Sequence, residues 1–232
     1  MPVERAGCGP RSVDYVLIHG GNIDTDTWNG LTVGEPVRTP DGRMGGRVWD
    51  PVLPALRARG HRVYAPTLAD EHTCDLSGHV AQVAALVEGH ELHDLVLVAH
   101  SYGGMVLTGV ADRFAERVRR LVCVDAALPD DDQSLFDVIV AGGCDPLSFE
   151  GLEAVPPYVE KVRFDAARVD SLSGVYIACT ESQFAPVTQL ARRKVAASGG
   201  RWELVELPTG HVPMATMPAE LSQLLVAAAP GE

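Results

Sequence analysis

Six short apolar runs, each followed by a longer stretch of helical periodicity, constrain this chain more than any other feature. The runs are VDYVLIH (13–19), HRVYAPT (61–67), LVLVAH (95–100), LVCVDAAL (121–128), VYIACT (175–180) and WELVELP (202–208). They are rich in β-branched residues and read as nearly continuous apolar segments, the pattern of strands covered on both faces. Between and after them lie WDPVLPALRARG, DLSGHVAQVAALVEG, GGMVLTGVADRFAERV, APVTQLARRKVAASGG and MPAELSQLLVAAA, helical patterns several of which carry Pro near the start or Gly at the end. Alternating strands and helices predict an α/β fold: a doubly wound, mainly parallel six-stranded sheet with helices on both faces. At 232 residues, 46% of them hydrophobic, the chain has material for one such core, and a single domain over 1–232 is expected.

Two stretches break the rhythm. Residues 22–48 are rich in Gly, Pro, Thr and Asp; residues 129–172 begin PDDDQS and contain Pro156-Pro157. Loops that leave the C-terminal ends of parallel strands border the ligand crevice, and long irregular insertions are usually functional or disordered. The first is expected to be an active-site insertion loop and the second a short cap. The insertion could equally pack over the sheet edge or touch a second subunit, which leaves a homodimer open.

Composition removes several classes of function. A formal net charge of -12 argues against nucleic acid or an anionic membrane as partner, because both call for a basic patch. No apolar run approaches the length of a membrane span, and the opening MPVERAGCGPRS lacks the apolar segment of a secretory signal. The five cysteines are scattered, odd in number and without C-x-x-C spacing, so a reducing, cytoplasmic setting is expected. His90-x-x-His93 brings no third metal ligand, and no glycine-rich nucleotide loop follows a strand. No metal or cofactor is therefore expected; the partner is a small-molecule substrate.

The chemistry concentrates at LVLVAHSYGGMVLTGV, where a strand runs into Ala99-His100-Ser101-Tyr102-Gly103 and then a helix. A serine hydroxyl is a weak nucleophile unless a base takes its proton, and it must project where substrate can reach it. A tight strand-to-helix turn between small residues projects it, and the helix start offers free N–H groups to a developing oxyanion. The pattern is G-x-S-x-G with Ala99 in the first position. A plain turn with a serine cap is the alternative reading, and two further segments weigh against it. Ile18-His19-Gly20-Gly21-Asn22 closes the first strand with glycines, which would let a backbone N–H point into the crevice beside that of Tyr102. Pro208-Thr209-Gly210-His211 places a histidine on the loop after the last strand, where it can fold back on the serine. His61, His72, His79, His90 and His93 have no such context and are read as surface or core residues; His100 is read as structural.

With VLIHGG, VAHSYGG and PTGH in that order, the chain resembles the α/β-hydrolase superfamily, over nearly its whole length. Within it, the chain resembles the group of plant salicylate methylesterases and hydroxynitrile lyases and related bacterial esterases. The resemblance implies Ser101 as nucleophile, His211 as general base, and the backbone N–H groups of Gly21 and Tyr102 as the oxyanion hole. His19, Gly20, Asn22 and Trp28 are expected to line the substrate pocket. In the resembled group an Asp follows the VYI-CTE strand, whereas here Ser182 stands at that place. Asp125, at the end of the neighbouring strand, is favoured as the replacement, as in haloalkane dehalogenases with an acid in a similar setting. Glu181 is the second candidate, and absence of the acid the third. The implied activity is a serine-dependent hydrolase of small carboxylic esters or lactones acting through an acyl-enzyme. A hydrolase-fold lyase or cyclase using the same Ser/His pair, or a receptor-like binder, are the alternatives.

Overall fold

The computed structural model describes residues 12–149 and 152–229. Cys8 and most of the opening segment read for a secretory signal lie outside the described residues. Six strands form one sheet: β1 (Asp14–Ile18), β2 (Arg62–Tyr64), β3 (Leu95–His100), β4 (Val118–Val124), β5 (Gly174–Cys179) and β6 (Trp202–Leu207). Every pairing is parallel and the spatial order is β2-β1-β3-β4-β5-β6. The path therefore runs from β1 to β2 at one edge, crosses back to β3 on the other side of β1, and builds outward from there to β6. Crossovers α2 (Leu53–Ala58), α3 (Leu76–Gly89), α4 (Gly103–Arg113) and α8 (Ala185–Ala197) connect the strands, and α10 (Pro218–Ala228) ends the fold.

Side-chain alternation in the central strands divides the core into two layers. Val16, Ile18, Leu95, Leu97, Leu121, Cys123 and Tyr176 face the layer that contains residues of α3, α4 and α8. Tyr15, Leu17, Val96, Val98, Val122, Val124 and Ile177 face the layer that contains residues of α2 and α10. β1, β3 and β5 are buried throughout, as continuous apolar runs predict. The edge strands depart from that expectation. β2 is three residues long, and β6, at the other edge, leaves Glu203, Leu204 and Glu206 exposed.

Several boundaries around β4 differ from the sequence expectation. The helix expected through Val118 stops at Arg113, and β4 begins at Val118, three residues early, its start hidden in the sequence by Arg119 and Arg120. At its other end β4 stops at Val124, because Asp125 takes a left-handed backbone with φ 46°. Residues 22–48 are ordered into α1 (Thr25–Leu31) and part of a 3-10 turn at Gly45–Trp49, and the ends of the segment are paired through Thr25 N–H to Gly42 O and Met44 N–H to Ile23 O. Residues 129–172 carry α5 (Leu135–Ala141), α6 (Pro156–Val159) and α7 (Ala166–Asp170). Among the described residues no helix is long and apolar enough to cross a membrane.

The start of α4 is pressed against the turn after β4. Ala127 N–H donates to Ser101 O at 3.0 Å, and a Cβ on Gly104 would overlap the carbonyl oxygen of Ala127. Gly104→Ala is accordingly expected to lower folding stability by at least about 2 kcal/mol, since the obstacle is backbone and cannot rotate away. Urea unfolding measures this; a loss below about 0.5 kcal/mol would show that the two turns are not in fixed contact.

Candidate active site

Ser101 sits between β3 and α4 with φ 55°, a conformation costly for a non-glycine residue and one that turns the side chain out of the strand line. Gly20 lies against it: a Cβ there would stand 2.7 Å from Ser101 Cβ, so only glycine lets the β1 loop approach Ser101 this closely. His211, on the loop between β6 and α9 (Pro213–Thr216), brings Nε2 to 2.9 Å from Ser101 Oγ. Its Nδ1 lies 2.6 Å from Asp125 Oδ2.

Asp125 is fully buried, and a buried carboxylate needs partners. It has them: Oδ1 accepts from Cys179 N–H at 3.1 Å while Oδ2 faces His211, and its own N–H donates to Ile177 O at 2.8 Å. The carboxylate therefore fixes the imidazole tautomer, with Nδ1 carrying the proton and Nε2 free to accept from the serine. Glu181, the other candidate acid, is exposed, with its backbone N–H on Thr209 O. Ser182 is buried and puts Oγ 3.4 Å from His211 Nδ1 while accepting from Phe184 N–H at 3.0 Å. The place that holds an acid in the resembled group thus still faces the same histidine nitrogen here.

His100 secures the histidine loop, donating from Nε2 to His211 O at 2.6 Å, and the two rings lie 4.6 Å apart. Burial, followed by the neighbouring His211, lowers the His100 pKa to about 3, so it stays neutral. Phe184 packs its ring 5.0 Å from that of His211 on another side.

The expected pocket residues divide. Gly20 borders Ser101, while Gly21 and Asn22 are half-buried beyond it. His19 does not line the pocket as expected: it is buried with both ring nitrogens engaged, Nδ1 on Gly20 O at 2.7 Å and Nε2 accepting from Leu68 N–H at 2.9 Å. Trp28 also departs from expectation. It belongs to the apolar layer that holds Met44, Trp49 and Met214, because α1 turns its apolar side inward.

Two further residues reach this region: Tyr158, which the sequence left unassigned, and His79, read there as a surface or core residue. Tyr158, from α6, places Oη 2.7 Å from where a Cβ on Gly21 would stand, and donates to Glu71 Oε2 at 2.7 Å. Its ring meets that of Tyr102 edge-on at 4.9 Å. His79 donates from Nε2 to Ala69 O at 3.0 Å, so its Nδ1 accepts from Tyr102 Oη at 2.9 Å. Neither had a local signal, since PPYV and LSGHV are ordinary helix starts. A cavity of 160 Å³ beside Tyr158 is lined by Glu71, His72, Glu153 and Val155. The larger cavity, 340 Å³ between α4, α7 and α8, touches none of Ser101, His211 or Asp125; the proton-transfer geometry marks the site better than void size does.

Comparison with known proteins agrees with this architecture. Residues 15–160 match the model of the alpha/beta hydrolase family. A carbendazim hydrolyzing esterase of Nocardioides sp. (strain SG-4G) is 30% identical over 241 residues, covering 79% of this chain and 94% of that protein. Methylesterase 8 of Arabidopsis thaliana is 32% identical over 145 residues, covering 57% of this chain and 53% of that protein. Among solved structures, an extracellular alpha/beta-hydrolase from a Paenibacillus species, described as sharing homology with tobacco salicylic acid binding protein 2, superposes with a TM-score of 0.67 at 20% identity, over 93% of this chain and 98% of that one. The chain belongs to the alpha/beta hydrolase family. Within it, kinship to esterases makes it a carboxylic ester hydrolase.

Proposed function

We propose that the chain cleaves a small carboxylic ester or lactone through an acyl-enzyme formed on Ser101. The observation that carries this reading is the unbroken chain from Ser101 Oγ to His211 Nε2, 2.9 Å, and from His211 Nδ1 to Asp125 Oδ2, 2.6 Å. In the first step His211 takes the serine proton as Oγ attacks the carbonyl carbon. The backbone N–H groups of Gly21 and Tyr102 hold the resulting oxyanion, and the buried Asp125 carboxylate stabilises the imidazolium. His211 then returns the proton to the leaving alkoxide, so the alcohol departs and the acyl group stays on Oγ. Water, deprotonated by His211, attacks the acyl carbon; the bond from that carbon to Oγ breaks, His211 returns the proton to Oγ, and the acid is released.

Residues 129–172 serve as a cap, with Tyr158 over the Gly21 loop and its hydroxyl tied to Glu71. Cytoplasmic operation is supported by free thiols at Cys74, Cys123, Cys144 and Cys179. The test is intact-mass spectrometry after brief exposure to an activated aryl ester. Wild type is expected to gain one acyl mass and to turn over, and Ser101→Ala to gain none. Wild type that neither labels nor cleaves the ester overturns the acyl-enzyme route and favours lyase, cyclase or binding chemistry instead.

A further inference from the structure

We propose that His19 is a positioning residue of the oxyanion hole, acting through the single peptide plane between Gly20 and Gly21. This rests on the reading above, in which the Gly21 N–H faces the developing oxyanion. His19 Nδ1 is 2.7 Å from Gly20 O. That carbonyl belongs to the same planar group as the Gly21 N–H, and among the described residues every peptide bond is trans. In a trans peptide the C=O and N–H point in opposite directions from one rigid plane. Holding the oxygen therefore aims the N–H. Glycine on both sides of the plane supplies no side chain to hold it, so an external anchor is required where the backbone is most free to rotate.

The tautomer follows from the second contact. Leu68 N–H can only donate, so His19 Nε2 must be the unprotonated nitrogen and Nδ1 must carry the hydrogen that goes to Gly20 O. The ring is buried, and burial lowers its pKa to about 4, with His79 adding to the fall and the Gly20 carbonyl opposing it. The neutral Nδ1–H form is thus maintained across the ordinary working range. A hydrogen bond to the carbonyl oxygen also polarises the amide, which makes its N–H a better donor at the moment charge develops. His19 is consequently the backing of the site rather than part of its lining, which accounts for a polar ring placed at the end of a buried strand and shut away from the pocket.

Two substitutions separate this role from mere support of the Leu68 loop. The amide of His19→Asn sits near the position of Nδ1 and can donate to Gly20 O while losing Leu68. The longer His19→Gln reaches the position of Nε2, accepts from Leu68 N–H and leaves Gly20 O unheld. For each, kcat and KM on p-nitrophenyl acetate, inhibition by an aryl trifluoromethyl ketone, and Tm are measured. The ketone adds Ser101 to its carbonyl and presents a stable oxyanion to the same N–H groups, so it reports on the hole itself.

His19→Gln is expected to keep KM within about twofold and to lose about 10- to 100-fold in kcat, less than the ~10²–10³ of a deleted donor. Its affinity for the ketone falls by a similar factor. His19→Asn is expected to recover most of kcat despite a lower Tm. If kcat follows Tm in both variants, or His19→Gln binds the ketone as wild type does, the proposal is wrong. Should His19→Gln not fold, His19→Asn alone decides, since a loss of kcat beyond about tenfold also overturns it. Wild type that forms no adduct with ester or ketone overturns the hydrolase reading instead, whatever the variants do.

Discussion

Asp125→Asn is expected to lower kcat by about 10⁴-fold with little change in KM, the scale of loss when a buried triad acid becomes an amide. The reason lies in the tautomer. Asn can keep its carbonyl on Cys179 N–H, where Asp125 Oδ1 now accepts at 3.1 Å. Its NH₂ group then faces His211 Nδ1 and demands an acceptor there. The imidazole proton moves to Nε2, which can no longer accept from Ser101 Oγ, now 2.9 Å away. The imidazolium of the transition state also loses the counter-charge of a fully buried carboxylate. Glu181→Gln, at an exposed side chain, is expected to leave turnover unchanged.

A second carboxylate position tests the same logic. Ser182 Oγ faces His211 Nδ1 at 3.4 Å from a buried site. Adding Ser182→Asp to Asp125→Asn is expected to restore part of the lost rate, because it returns a negative acceptor to that nitrogen. Steady-state kinetics on one activated ester read all three variants. The assignment fails if Asp125→Asn stays within about tenfold of wild type, or if Glu181→Gln reproduces its loss.

Folding stability is expected to fall by about 4 kcal/mol between pH 7.5 and pH 5.0, measured as the difference in urea unfolding free energy. His19 and His100 are buried, and burial lowers their pKa values to about 4 and about 3 from the usual 6.5. Above pH 6.5 both rings are neutral whether the chain is folded or not, and they add no pH dependence. Below it the unfolded chain takes up two protons that the folded protein refuses. Each ring then costs about 1.4 kcal/mol per pH unit until pH approaches its folded value.

His61 and His79 are shifted in the same direction, chiefly by burial, and add to the slope. Asp24, Asp75 and Asp137, whose pKa values are lowered mainly by backbone N–H groups of their own helix starts, act only at lower pH, below the ordinary carboxylate range. Against a total stability of about 5–15 kcal/mol, a 4 kcal/mol loss places acid unfolding within reach of mild conditions. A free energy that is flat between pH 7.5 and pH 5.0 would show that these rings are hydrated or charged in the folded protein.

Much of this protein is local and was therefore readable in the chain. β1, β3 and β5 announce themselves as apolar runs because both their faces are covered, and the Ser101 turn does so because small residues on a strand-to-helix corner leave few other conformations. His211 was legible from its place after the last strand. The strand order, the early start of β4 behind two arginines, and the inward turn of Trp28 were not, because each depends on what packs alongside. The nearby oxygen of Ser182 and the exposure of Glu181 likewise follow from which strand end faces which loop.

The sequence by itself determined the alternation of elements, the parallel sheet, the elbow and a short list of carboxylates. Only the tertiary structure decided that Asp125 meets a histidine 86 residues away. It also decided that His19 is buried, with its ring on Gly20 O and Leu68 N–H, rather than lining the pocket. Covalent geometry and periodicity act over a few residues, whereas a proton path among three side chains is set by how separate strand ends converge at one edge of the sheet.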